Sequence, residues 1–139
     1  MTTTPKAAPV GAVLQSGNRV PHFTVTRIDG SRAAYADAWQ FRNLLLVVLP
    51  AEPSPAEDAY LARLDARDAD WASFDTASIL TRDDVPGVPR PGVVVADRWG
   101  EIHHVSGAAS VGELTPPDEL VEWLRYISHK CPECEGEAR

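Results

Sequence analysis

The 139 residues carry 44% hydrophobic and 24% charged side chains with a formal net charge of −7, the profile of one globular domain that buries roughly two-thirds of its unfolded surface. The acidic balance argues against nucleic acid as a partner, because phosphate binding needs a basic face. No run reaches the ~20 apolar residues that span a bilayer, and residues 1–17 lack the apolar stretch of a secretory signal, so a cytoplasmic location is expected, where thiols are kept reduced.

In chain order, residues 1–16 are rich in Thr, Ala and Pro and read as a flexible amino-terminal tail before a folded unit over 17–128. Phe23, Val25 and Ile28 alternate with polar residues as a half-buried strand requires, and Asp29-Gly30 supplies a hairpin turn. A short helix is expected over Ala33–Trp39. Leu44–Leu49 is a continuous apolar run ended by Pro50, which suits a strand buried on both faces at the centre of a partly parallel sheet. Pro53-Ser54-Pro55 opens a helix reaching about Arg67. Ser54 is placed to cap it, Pro55 takes its first position, Glu57 and Asp58 favour the positive end of the dipole, and Tyr60, Leu61 and Leu64 form its apolar stripe. Thr76–Leu80 is a further strand. Val93–Ala96 and Ile102–Val105 flank the tight turn Asp97-Arg98-Trp99-Gly100 as a hairpin. Pro116-Pro117-Asp118-Glu119 starts a last helix in which Leu120, Leu124 and Ile127 recur at the helical period.

A helix joining two strands implies a parallel pair, the late hairpin adds antiparallel strands, and the last helix covers one face. The expected architecture is α/β, a mixed β-sheet flanked by helices.

Three stretches carry a resemblance to a known family. Gly17-Asn18-Arg19-Val20-Pro21-His22-Phe23-Thr24-Val25 with Asp29-Gly30, the run Leu44–Leu49, and Arg90-Pro91-Gly92-Val93-Val94-Val95-Ala96-Asp97-Arg98-Trp99-Gly100-Glu101-Ile102 together resemble the peroxiredoxin-like (redoxin) branch of the thioredoxin superfamily. The resemblance covers most of Gly17–Ser128 and implies a thioredoxin-like fold, with Pro91 as a cis-proline beside the active site. In that family the reactive cysteine follows the central strand at the amino end of the next helix, where the dipole lowers the thiol pKa. Here the same place reads Pro50-Ala51-Glu52-Pro53-Ser54-Pro55-Ala56-Glu57, with no thiol. Ser54 and Pro91 are then structural vestiges of an active site. An unactivated Ser54 hydroxyl neither attacks peroxide nor forms a disulfide. Glu52, Glu57 and Arg90 border the same cleft, with capping and solvated charge as their expected roles.

Both cysteines of the chain stand instead in Cys131-Pro132-Glu133-Cys134, within a tail over 129–139. Two thiols at this spacing either cycle between dithiol and disulfide or clip a metal ion. The strand order puts them at the pole opposite the usual active site, where His103, His104 and His129 also fall. Three readings stay open. Cys131 and Cys134 are a redox pair acting on a protein thiol partner or reductant, or across a homodimer, which makes the chain a redoxin-related thiol–disulfide oxidoreductase and not a standard peroxidase. Alternatively they bind zinc with His129, His103 or His104. In the third reading the domain is a catalytically silent module that binds a partner and needs no cofactor. Trp39, Trp71, Trp99 and Trp123 are dispersed and expected in packing roles, and His22 has no evident partner.

Overall fold

The computed structural model describes residues 14–129, so the expected tails over 1–16 and 129–139, Cys131 and Cys134 included, fall almost wholly outside the described residues. The central strand is β3 (Asn43–Val48), buried at every position. It pairs in parallel with β4 (Thr76–Thr81), from Asn43 opposite Thr76 to Val48 opposite Thr81. On its other side lies β5 (Gly92–Ala96), antiparallel, with Val48 opposite Gly92. β6 (Ile102–Gly107) closes the sheet, giving the order β4-β3-β5-β6. A bulge between Val95 and Ala96 interrupts the β5–β6 register.

Alternation along the buried strands sends side chains to two different cores. Leu45, Val47, Val93 and Val95 meet the helices: α1 (Pro55–Asp65) through Tyr60 and Leu64, α2 (Asp68–Ser73) through Trp71, and α3 (Pro117–His129) through Leu120, Val121, Leu124 and Ile127. Leu44, Leu46, Val48, Val94 and Ala96 face the other way, onto a hairpin of β1 (Thr24–Thr26) and β2 (Arg32–Ala34) and onto Val20, Phe23, Tyr35 and Val85. All three described helices thus flank one face. The other is covered by the amino-terminal segment, which is bonded at both edges of the sheet. Gly17 N–H reaches Ile102 O and Val20 N–H reaches Gly100 O at the start of β6, while Ile28 N–H reaches Leu80 O at the end of β4. No described helix is long and apolar enough to cross a membrane.

Two local expectations need correction. Ala33 and Ala34 extend β2 instead of starting a helix, and only Tyr35–Asp37 make a 3-10 turn. Pairing of Ala33 with Val25, the Tyr35 N–H bond to Phe23 O, and stacking of Tyr35 on Phe23 outweigh the local helix preference. The helix expected as one piece to Arg67 ends at Asp65, and α2 follows after a kink. The kink lets Trp71 enter the core and donate its indole N–H to Leu64 O at 3.0 Å.

Candidate functional site

The end of β3 is where the fold aims a helix amino terminus. Ser54 is extended (φ −145°) and accepts the Glu57 N–H at 3.2 Å, with Pro55 at the first helical position, so the cap forms as its sequence dictates. Ser54 thereby serves the backbone, and among the described residues no base bonds its hydroxyl. Glu57, in the first turn, is 1% exposed and is not the solvated charge expected of it. Arg82, just beyond β4, grips both its oxygens, Nη1 to Oε1 at 2.8 Å and Nη2 to Oε2, and also donates to Pro50 O at 3.0 Å. Arg90 ties the loop down by donating to Leu49 O at 3.1 Å, to Asp84 at 2.8 Å and to Arg82 O. The Arg90–Pro91 peptide beside it is cis. Glu52 is exposed and stays outside this network.

The positive end of α1 and a guanidinium therefore converge on a carboxylate. Those are the two influences that stabilise a thiolate in a reactive-cysteine site, but a carboxylate accepts hydrogen bonds and donates no electron pair to peroxide oxygen. Sequence reasoning missed Arg82 altogether. Its partner lies 25 positions away, and no local pattern joins a helix first turn to the end of the following strand.

The opposite pole holds a second group of polar side chains. Asp97, at the end of β5, receives the Trp99 and Glu101 N–H groups on Oδ1 at 2.9 and 3.0 Å, while Oδ2 lies 3.1 Å from His103 Nε2. Burial works against the charged form, but the His103 bond and the two amides outweigh it and hold Asp97 below the ordinary 3.8. His104 lies against α3, with Nε2 2.8 Å from Thr115 Oγ1 and its ring stacked on Trp123 at 5.1 Å. Burial depresses its pKa below 6.5, against the opposing pull of Glu119. Thr115 is a hub: its hydroxyl also meets Ser106, and its carbonyl accepts from the Tyr60 hydroxyl at 2.6 Å.

Between β6 and α3 runs a groove of about 870 Å³, lined by Ile102, His103, Glu101, Glu119, Trp123 and Tyr126 among others. Of the expected histidines, His103 and His104 lie on this side, and His129 ends α3. Among the described residues, the group of three metal-competent side chains close enough to share an ion is Asp97, Glu101 and His103; neither His104 nor His129 joins it. Three of the four tryptophans pack as expected, while Trp99 is exposed on its turn. Trp71 is core, Trp123 stacks on His104, and Trp39 bonds Trp99 O at 3.3 Å while His22 meets its ring edge-on at 5.1 Å.

A mixed sheet with a cis-proline opening the strand beside the α1 amino terminus defines a thioredoxin-like fold. Within that class the chain takes the peroxiredoxin-like form. It is similar to the reduced 2-Cys peroxiredoxin of Plasmodium vivax, with a TM-score of 0.66 and 13% identity over 87% of this chain and 83% of that one. It is similar also to a yeast mitochondrial 1-Cys peroxiredoxin (TM-score 0.67, 11% identity, 81% and 76% covered) and to peroxidoxin BcpB of Mycobacterium tuberculosis (0.65, 16%, 82% and 98%). No family model and no curated protein matches the sequence.

Proposed function

We propose that this peroxiredoxin-fold protein does not reduce peroxide at the end of its central strand, and that it exchanges disulfides with a protein partner through Cys131 and Cys134. The observation that carries the first half is the Glu57–Arg82 pair, which occupies the α1 amino terminus with a buried, doubly bonded carboxylate. What supports the second half is that the chain's two thiols stand two residues apart, just after α3. In the exchange, one thiolate attacks a partner disulfide and displaces one partner thiol. The second thiol resolves the mixed disulfide, releasing the other partner thiol and leaving Cys131–Cys134 oxidised, so two electrons pass to the partner. A reducing, cytoplasmic setting keeps the pair ready as a dithiol, and a second copy of this chain is one such partner.

The pair is a slow nucleophile on electrostatic grounds. It follows a helix carboxyl end, and Glu133, Glu135 and Glu137 are close by in sequence; both favour the neutral thiol, with Lys130 a partial offset. The thiol pKa is expected at or above ~8.5. Stopped-flow consumption of hydrogen peroxide should be no faster than with a free thiol, and faster turnover would sink the first half of the proposal. Under mild oxidant the disulfide should form reversibly, and Cys134→Ser should trap mixed disulfides through Cys131. Absence of both leaves the silent binding module as the function. Iodoacetamide labelling that appears only after a chelator is added would assign Cys131 and Cys134, with His129, to zinc instead.

A further inference from the structure

We propose that Asp97, Glu101 and His103 form a binding site for a divalent transition-metal ion of the zinc or cobalt type, open to the groove between β6 and α3. One donor atom from each residue lies within 4.8 Å of the other two. A four-coordinate ion about 2.1 Å from each donor holds its ligand atoms about 3.4 Å apart, so the exposed Glu101 side chain has to swing in by on the order of 1 Å to close the set.

Two of the three donors are already positioned. The Trp99 and Glu101 amides engage Asp97 Oδ1 and leave Oδ2 facing His103 Nε2, the kind of outer contact that orients a metal ligand. The β5–β6 bulge falls at His103, and bulges re-aim side chains in this way. It leaves His103 and His104 both on the α3 side, the first against Tyr126 and the second on Trp123. The Asp97 and His103 side chains are about nine-tenths buried, at 11% and 9% exposure. Glu101 is exposed at the mouth and completes the set with little hindrance.

The surroundings favour a cation. Glu119 and Glu122 of α3 also line the groove, and the nearby Arg125 is engaged with Glu122. Arg19 donates to Trp99 O at 2.7 Å on the same turn, and Arg98 within the turn is paired with Asp75 at 3.7 Å.

The donor chemistry selects the metal. One imidazole nitrogen with two carboxylate oxygens suits a borderline ion, whereas calcium takes six to eight oxygens and magnesium keeps its waters. Three protein ligands leave a fourth position for water or for a group entering from the groove, as in zinc sites that do chemistry.

Calorimetric titration of the full chain carrying Cys131→Ser and Cys134→Ser with zinc, and with cobalt read by its visible absorption, tests the site without the tail thiols. Saturable one-to-one binding is expected. Glu101→Gln, an exposed change that leaves the fold intact, should weaken it more than ~10-fold, as should His103→Asn, while His104→Asn should leave it unchanged. No saturable binding overturns the proposal. So does binding indifferent to Glu101→Gln and His103→Asn, and so does calcium or magnesium binding as tightly as zinc. Binding seen only when Cys131 and Cys134 are present places the ion in the tail and likewise overturns it.

Discussion

A carboxylate with 2% of its side chain exposed persists at the start of α1 because Arg82 meets both its oxygens. The two partners are not equally exposed, since the Arg82 side chain is 32% accessible. Their removal should therefore be unequal. Arg82→Ala strands a buried charge and is expected to lower stability by about 3 kcal/mol, the lower end for broken buried pairs because water reaches this one from the arginine side. Glu57→Ala leaves a guanidinium that still bonds Pro50 O and contacts water, so a loss of about 1–2 kcal/mol is expected. Urea midpoints of the two variants decide the matter, and an equal or reversed order would show that the carboxylate is not the liability. At this scale the sequence disclosed what is local. Ser54, Pro55 and Glu57 could be placed in a first turn from spacing alone, because a cap needs only neighbours. The identity of the cation could not, because Arg82 reaches Glu57 only through the parallel pairing of β3 with β4.

The elements sort by how their information is stored. β3 was legible because six consecutive apolar residues admit burial on both faces and little else. The β5–β6 hairpin was legible because Asp97–Gly100 closes it locally, with Gly100 N–H bonded to Asp97 O at 2.9 Å. The short helix α2 was not, since Asp68–Ser73 buries only Trp71 and carries no apolar stripe. Nor was the bulge at His103, which depends on register with Val95. Backbone fit at Gly92, the first residue of β5, yields a test of how tightly the cis-proline loop is packed. A Cβ there would lie 2.2 Å from Pro89 O, a backbone atom that moves only with its loop. Gly92→Ala should therefore destabilise by about 1–3 kcal/mol, as overpacking does, and should loosen residues 86–91 in hydrogen exchange. A neutral change would mean that the loop shifts freely.

For the molecule as a whole, two titrating groups set separate pH windows. His104 has a folded pKa below 6.5 through burial. Its neutral ring contributes fully above 6.5, and that contribution is lost as pH falls from 6.5 through the lower folded value, because the unfolded chain binds the proton first. Asp97 is held below 3.8, so its contribution is full above 3.8 and disappears only as acid drives pH down through its folded value. Denaturant midpoints at neutrality and at about pH 5 should differ in the natural chain, and His104→Asn should flatten that slope whatever it does to the absolute stability. An unchanged slope would mean that other groups govern this range. The mixed sheet and its helical face were legible in the order of elements. The hairpin cover on the other face was less so, because Val20, Phe23 and Tyr35 reveal their partner only in three dimensions.

That cover has a consequence for how the protein is made. Residues 14–34 can close their own hairpin as they leave the ribosome, but their partners at the sheet do not yet exist: Leu14 awaits Gly87, Gly17 awaits Ile102, and Ile28 awaits Leu80. Contacts of such sequence separation form late. Until then one face of the nascent sheet and both its edges stand open to neighbouring chains. The interval between translation of residue 28 and residue 102 is thus when this protein is most exposed to aggregation, and when a chaperone that masks apolar surface has most to protect.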